Sequence, residues 1–151
     1  MTAETPLHQR VRVRHVQGDE YAVLLRAHEL HTDQPGSDRG MSPVELFAAS
    51  LATCVAHYAG GYLHRHGLPR EGLTVVAEYG MAADRPARIG RMRLTVDPAQ
   101  DLTPRQRQAL HAVVDHCTVH NTLRQPPRIE IRVHEGQPEG VVTLPPAEPE
   151  W

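Results

Sequence analysis

Residues 42–61 read SPVELFAASLATCVAHYAGG, and the reading of this stretch decides the fold. Ser42 can cap the free backbone N–H groups of a helix, and Pro43 at the first helical position loses no hydrogen bond there. From Val44 to Ala59 the run is apolar on nearly every face, with Leu46, Phe47, Leu51, Cys54 and Val55 separated mainly by alanines and small hydroxyl residues. A helix that lacks a polar face is buried all round. With Glu45, His57, Gly60 and Gly61 interrupting it, the run reads as too short for a bilayer, which needs about 20 apolar residues. Two readings stay open at its end, one continuous helix and a pair of helices breaking at Gly60-Gly61.

Upstream, Arg10 to Val16 alternates arginine with valine, the period-2 signature of a strand with one wet face. Gly18-Asp19 supplies a turn, Tyr21 to Leu25 a hairpin partner, and His28 to His31 a short third strand. Thr32 to Ser42 is rich in Asp, Gly, Pro and Ser and reads as a loop. Downstream, strands are expected over Leu73 to Tyr79 and Arg88 to Val96, the second with Met92, Leu94 and Val96 on its inner face. Thr103-Pro104 opens a helix to about His116, and a shorter one follows from Thr118 to Arg124, stopped by Pro126-Pro127. A last strand is expected from Arg128 to His134, with Ile129, Ile131 and Val133 inward. The fold class is α+β, an antiparallel sheet with a long buried central helix, in one domain over residues 1–136. A proline-rich tail takes 137–151. One thin sheet cannot cover a helix that is apolar on all sides, so a homodimer in which the helices meet is expected.

A chain of 151 residues, 40% apolar and 23% charged, is neither disordered nor fibrous. Six aromatic residues leave no stacking platform for single-stranded nucleic acid, and a net charge of −2 gives no attraction to nucleic acid or an acidic membrane. All 16 cationic residues are arginine, which excludes lysine Schiff-base chemistry. Met1 to Arg10 lacks the apolar core of a signal peptide, so a cytoplasmic location is expected. Two cysteines cannot build the disulfide framework of a secreted domain. His116, Cys117 and His120, or Cys54 with His57, offer nitrogen and sulfur ligands, but no standard zinc spacing is present, and no metal or cofactor is assigned.

Gly40-Met41-Ser42-Pro43-Val44-Glu45-Leu46, continuing through Ala48-Ala49-Ser50-Leu51-Ala52-Thr53-Cys54, resembles the signature of the OsmC/Ohr superfamily, the osmotically inducible and organic hydroperoxide resistance proteins. Cys117-Thr118-Val119-His120-Asn121-Thr122-Leu123-Arg124 resembles the same family's second cysteine segment. The resemblance implies an intertwined homodimer with active sites at the subunit interface. It also implies a thiol-dependent peroxidase acting on organic hydroperoxides, fatty-acyl ones among them. Cys54 would attack, Cys117 would resolve the sulfenic acid, and a dithiol would reduce the product. In the peroxidase branches a Glu directly after the motif's Pro holds an activating Arg. Val44 stands at that place here, the carboxylate is one residue on at Glu45, and Arg39 or Arg26 is the candidate guanidinium. The departure at Val44 leaves a second expectation, a relative without efficient peroxidase activity that binds a small molecule or senses thiol redox state.

A reactive thiol needs a nearby cation or helix N-terminus to be a thiolate at neutral pH. Cys117, at the start of a short helix, can have the second. Cys54, three turns inside a helix, is expected to need an arginine.

Overall fold

The structure is a computed structural model that describes residues 5–133. Its elements are β1 (Arg12–Gln17), β2 (Glu20–Leu25), β3 (His28–Thr32), α1 (Pro43–Arg65), β4 (Thr74–Met81), β5 (Ile89–Asp97), α2 (Pro104–Val114) and α3 (Thr118–Arg124). This is the expected α+β order, with strand and helix ends displaced by a residue or two. The strands form two antiparallel sheets rather than one, β1-β2-β3 and β4-β5. The chain divides into two compact units, Met41–Pro127 and the residues on either side of it.

In the flanking unit β1 pairs with β2 through Val13 and Val23, and β2 with β3 through Leu25 and His28. Arg26 and Ala27 are left to turn the second hairpin. Arg26 takes a φ of 53°, the left-handed conformation that tight two-residue turns require. The expected dry face of β1 is not found, since every residue of that strand is exposed. Nor do the described residues after Pro127 form a strand. Residues 128–133 join no ladder among the described residues, and Ile129, Ile131 and Val133 are 78%, 86% and 87% exposed. Alternation alone does not make a strand, because its backbone groups need a partner edge. His134 and the expected tail lie outside the described residues.

In the central unit, the capping expected of Ser42 is complete. Its hydroxyl accepts from the Glu45 amide at 3.3 Å while the Ser42 amide donates to the Glu45 carboxylate at 2.7 Å. Thr103 and Gln106 repeat the arrangement at the start of α2. The helix α1 runs unbroken through Gly60-Gly61. Two glycines cost about 1 kcal/mol each against alanine. Burying Tyr62 and Leu63 just beyond them offsets that, at about 1.5–3 kcal/mol for a large apolar side chain. At 23 residues α1 is also long and apolar enough to cross a bilayer by length and composition, which corrects the expectation that it is too short. Its inner side packs on β4, β5, α2 and α3.

The helix is not buried all round within the chain. Ala48, Leu51, Val55, Ala59, Tyr62 and Leu63 form one buried stripe, whereas Val44 and Phe47 are 37% and 38% exposed. The reason is architectural, since a two-stranded sheet and two short helices have surface enough for one side only. Ala59, Tyr62, Leu63, Leu102 and Leu110 make one core cluster. Leu51, Val55 and Cys117 make the other, next to the strand residues Val75, Met92 and Leu94.

Candidate functional site

Cys54 and Tyr58 lie one turn apart on α1, on the edge of the stripe that carries Leu51 and Val55. That spacing places both against the start of α3. Cys117 is the N-cap residue of α3, with extended backbone at φ −64° and ψ 150°, and its side chain makes no capping bond. Instead it turns inward. Cys117 is completely buried, while Cys54 is half-buried, and both are free thiols.

The structure brings together the two cysteines that are far apart in sequence, with Cys54 packed against the cluster that holds Cys117 and near enough to influence its ionisation. The backbone N–H of Val119, the second residue of α3, donates to Cys54 Sγ at 3.5 Å. The hydroxyls of Tyr58 and Thr118 are bonded at 2.9 Å just beside it. Cys54 therefore does meet a helix start, although not that of its own helix. The expectation that only an arginine could serve it overlooked a second element packed across the thiol.

Burial is the largest influence on Cys117 and pushes its thiol above the ordinary cysteine value. The amides of His120 and Val119 oppose that shift, and the neighbouring Cys54 adds to it. No guanidinium is among these influences. The two sulfurs are thus unequal. Cys54 is partly open to solvent, whereas Cys117 is sealed from it.

Leu51 and Val55 are shared between the cysteine cluster and a groove of about 840 Å³. Phe47, Ile89, Met92 and Leu94 line it with apolar surface, and Arg91 and His120 bring polar groups to its wall. The sequence reading missed Tyr58, Thr118 and the Val119 amide. The one available signal was position, Tyr58 at four residues after Cys54 and Thr118 directly after Cys117.

The other expected site residues have local partners. Glu45 closes the capping box, and the Ser42 amide is the first reason its carboxyl lies below the ordinary range. Arg39 belongs to the flanking unit, where its guanidinium is 3.3 Å from the Glu20 carboxylate. Arg26 sits in the hairpin turn. Among the described residues no group of three or more His, Cys, Asp or Glu side chains is arranged to hold a metal ion. His120 lies 3.8 Å from Asp115, whose carboxylate is gripped by both bonds of Arg124.

A family model described as OsmC-like protein matches residues 36–132. Comparison of the sequence with curated proteins finds no match. Among solved structures, one from Psychrobacter arcticus 273-4, described as an osmotic stress induced and detoxification response protein, is 23% identical with a TM-score of 0.68. It matches over 80% of this chain and 90% of its own. The organic hydroperoxide resistance protein OhrB of Bacillus subtilis is 18% identical with a TM-score of 0.58, over 80% of this chain and 93% of its own. An organic hydroperoxide resistance protein OsmC from Legionella pneumophila is also 18% identical, with a TM-score of 0.56 over 80% and 92%. At these identities the likeness is one of fold.

Proposed function

The chain belongs to the OsmC-like protein family, and from that premise we propose that it is a thiol-dependent peroxidase reducing organic hydroperoxides, fatty-acyl hydroperoxides included. The observation that carries this reading is the juxtaposition of a half-buried Cys54 with a fully buried Cys117. The Cys54 thiolate attacks the outer oxygen of the O–O bond, which breaks. Cys54 becomes a sulfenic acid, and the alkoxide leaves as the alcohol after taking a proton. Cys117 then attacks the Cys54 sulfur and its proton leaves with the displaced hydroxide as water, forming the Cys54–Cys117 disulfide. The thiols have lost two electrons and the peroxide has gained them. A dithiol reductant, itself oxidised to a disulfide, restores the pair.

The high thiol pKa of Cys117 suits this order, because a protonated, buried thiol stays out of the first step. The apolar groove beside Leu51 and Val55 suits a hydrocarbon substrate. The reading extends to one OsmC-like domain over 1–136, working in the cytoplasm as a homodimer with sites at the subunit interface. The exposed Val44, Phe47, Ile129 and Ile131 support a second copy as the missing cover.

A specific observation favours a second reading, an OsmC-like protein that binds a small molecule or senses thiol redox state without efficient turnover. Arg39 is our candidate for the guanidinium that supports the thiolate and Glu45 for the carboxylate that holds it, yet each is engaged elsewhere, with Glu20 and with Ser42.

Intact mass after treating the reduced protein with an organic hydroperoxide separates the two. Peroxidase chemistry removes two hydrogens per chain, Cys117→Ser instead gains one oxygen, and Cys54→Ser does neither. Unchanged mass at a modest excess of peroxide would overturn the first reading.

A further inference from the structure

Tyr58 is not a cysteine-site residue by chemistry, since its phenol is bonded to Thr118 and not to either sulfur. Its place gives it a role. Cys54 and Tyr58 stand at i and i+4 on one face of α1, and they hold successive residues at the start of α3. Tyr58 holds Thr118 by a hydroxyl pair at 2.9 Å, and Cys54 receives the Val119 amide at 3.5 Å. The Cys117 side chain makes no capping bond, and the hydroxyl pair joins the start of α3 to α1. A long N–H···S contact depends steeply on alignment. The hydroxyl pair lies one residue away and is the tether that sets it.

We propose that Tyr58 and Thr118 form a positioning clamp that aims the Val119 amide at the Cys54 sulfur and so keeps that thiol reactive. The N–H holds the sulfur in one orientation, so an amide that drifts away leaves a less well-aimed and slower nucleophile. Each hydroxyl is bonded to the other rather than to a sulfur, so the pair acts through the Val119 amide. The inference deepens the peroxidase reading by adding a residue that tunes its nucleophile. It can be read without peroxide, from the thiol alone.

The sign of the effect distinguishes tuning from loosening. A clamp that only held the structure shut would, once cut, expose Cys54 and speed its alkylation. A clamp that aims the amide would, once cut, slow it. The experiment follows iodoacetamide labelling of Cys54 in the reduced full-length protein at neutral pH, located by peptide mass, in Tyr58→Phe, Thr118→Val, the double variant and Thr118→Ser. Tyr58→Phe keeps the ring in the cluster, and Thr118→Ser keeps the hydroxyl. A fall of about threefold is expected in Tyr58→Phe and in Thr118→Val, consistent with one weak hydrogen bond to sulfur. The double variant should fall no further, because both changes cut the same bond. Thr118→Ser should match the parent. Unchanged or faster labelling in either single variant overturns the proposal, as does additivity in the double variant or a failure of serine to rescue. Loss of peroxide turnover alone does not bear on it. If the parent labels fast and the variants slowly while no variant reduces peroxide, the clamp stands and the peroxidase reading falls.

Discussion

The two units of the chain are built from different materials. In the central unit the buried side chains are apolar ones such as Leu51, Val55, Leu63, Leu110 and Cys117, with Ser42 at the helix cap as the polar exception, a core in which shape and volume decide. In the flanking unit the buried side chains among the described residues are Ala22 with the polar Glu20, Thr32 and Asp33. There the interior is a set of hydrogen bonds. Asp33 accepts from the Gln34 amide and the Ser37 hydroxyl, and Glu20 receives Gln17, His31 and Arg39. A thiol site needs a dry, fixed surrounding, because a thiolate's neighbours set its reactivity and water would screen them. The central unit offers that surrounding and holds both sulfurs. The flanking unit is organised by hydrogen bonds and charge rather than by packing.

The strongest way to break this contrast is to remove volume from the packed side. Leu63 is fully buried between α1 and α2, touching the cluster of Ala59, Tyr62, Leu102 and Leu110. Leu63→Ala deletes apolar atoms and leaves a cavity, and should lower unfolding stability by about 2–5 kcal/mol. Urea denaturation followed by far-ultraviolet circular dichroism reads the loss. A change below about 1 kcal/mol would mean that the site collapses freely and that the unit is not held by packing.

A smaller test concerns the start of α1, where polar bonds do their work at the edge of the apolar unit. Ser42→Ala removes one side of the capping box and strands the Glu45 amide. The expected cost is about 1 kcal/mol in the same denaturation measurement. Glu45→Gln sharpens the point. If peroxide reduction falls in that variant far more than stability does, the carboxylate belongs to the thiol site and its cap is incidental.

How much of this was legible from the chain depends on what each residue is packed against. The start of α1 was fully written in Ser42-Pro43, because capping is local and the atoms involved are three residues apart. The same holds for Thr103-Pro104. Where a partner is distant, local pattern failed. Arg128 to Val133 has a strand's alternation and no ladder among the described residues. Gly60-Gly61 leaves a break and a continuous helix both open, and the helix continues because the packing of Tyr62 and Leu63 outweighs propensity. At the site the two cysteines were legible as a pair only through the resemblance of their segments to a family. The amide that serves Cys54 belongs to an element that follows far along the chain, and no spacing announces it.

The smallest expected effect belongs to the flanking unit and is set by pH. His31 Nδ1 lies 2.6 Å from Glu20 and its Nε2 lies 3.1 Å from Glu29, and these bonds raise the imidazole above its ordinary 6.5, with Glu20 the larger cause. Glu20 is held below its ordinary 4.5, first by Gln17 and then by His31. A raised imidazole gives stability that is fully present below pH 6.5 and is lost as pH rises through the folded value. A lowered carboxyl gives stability present above pH 4.5 and lost as pH falls through the folded value. Between those ordinary values both contributions coexist. Nuclear magnetic resonance titration of the His31 ring should show a midpoint above that of an exposed histidine, and Glu20→Gln should bring it down. Solvent screening keeps the stability change small, because the His31 side chain is 39% exposed. An ordinary midpoint in the parent protein would mean that the flanking unit is not organised by this charge cluster, and the contrast with the packed unit would lose its physical basis.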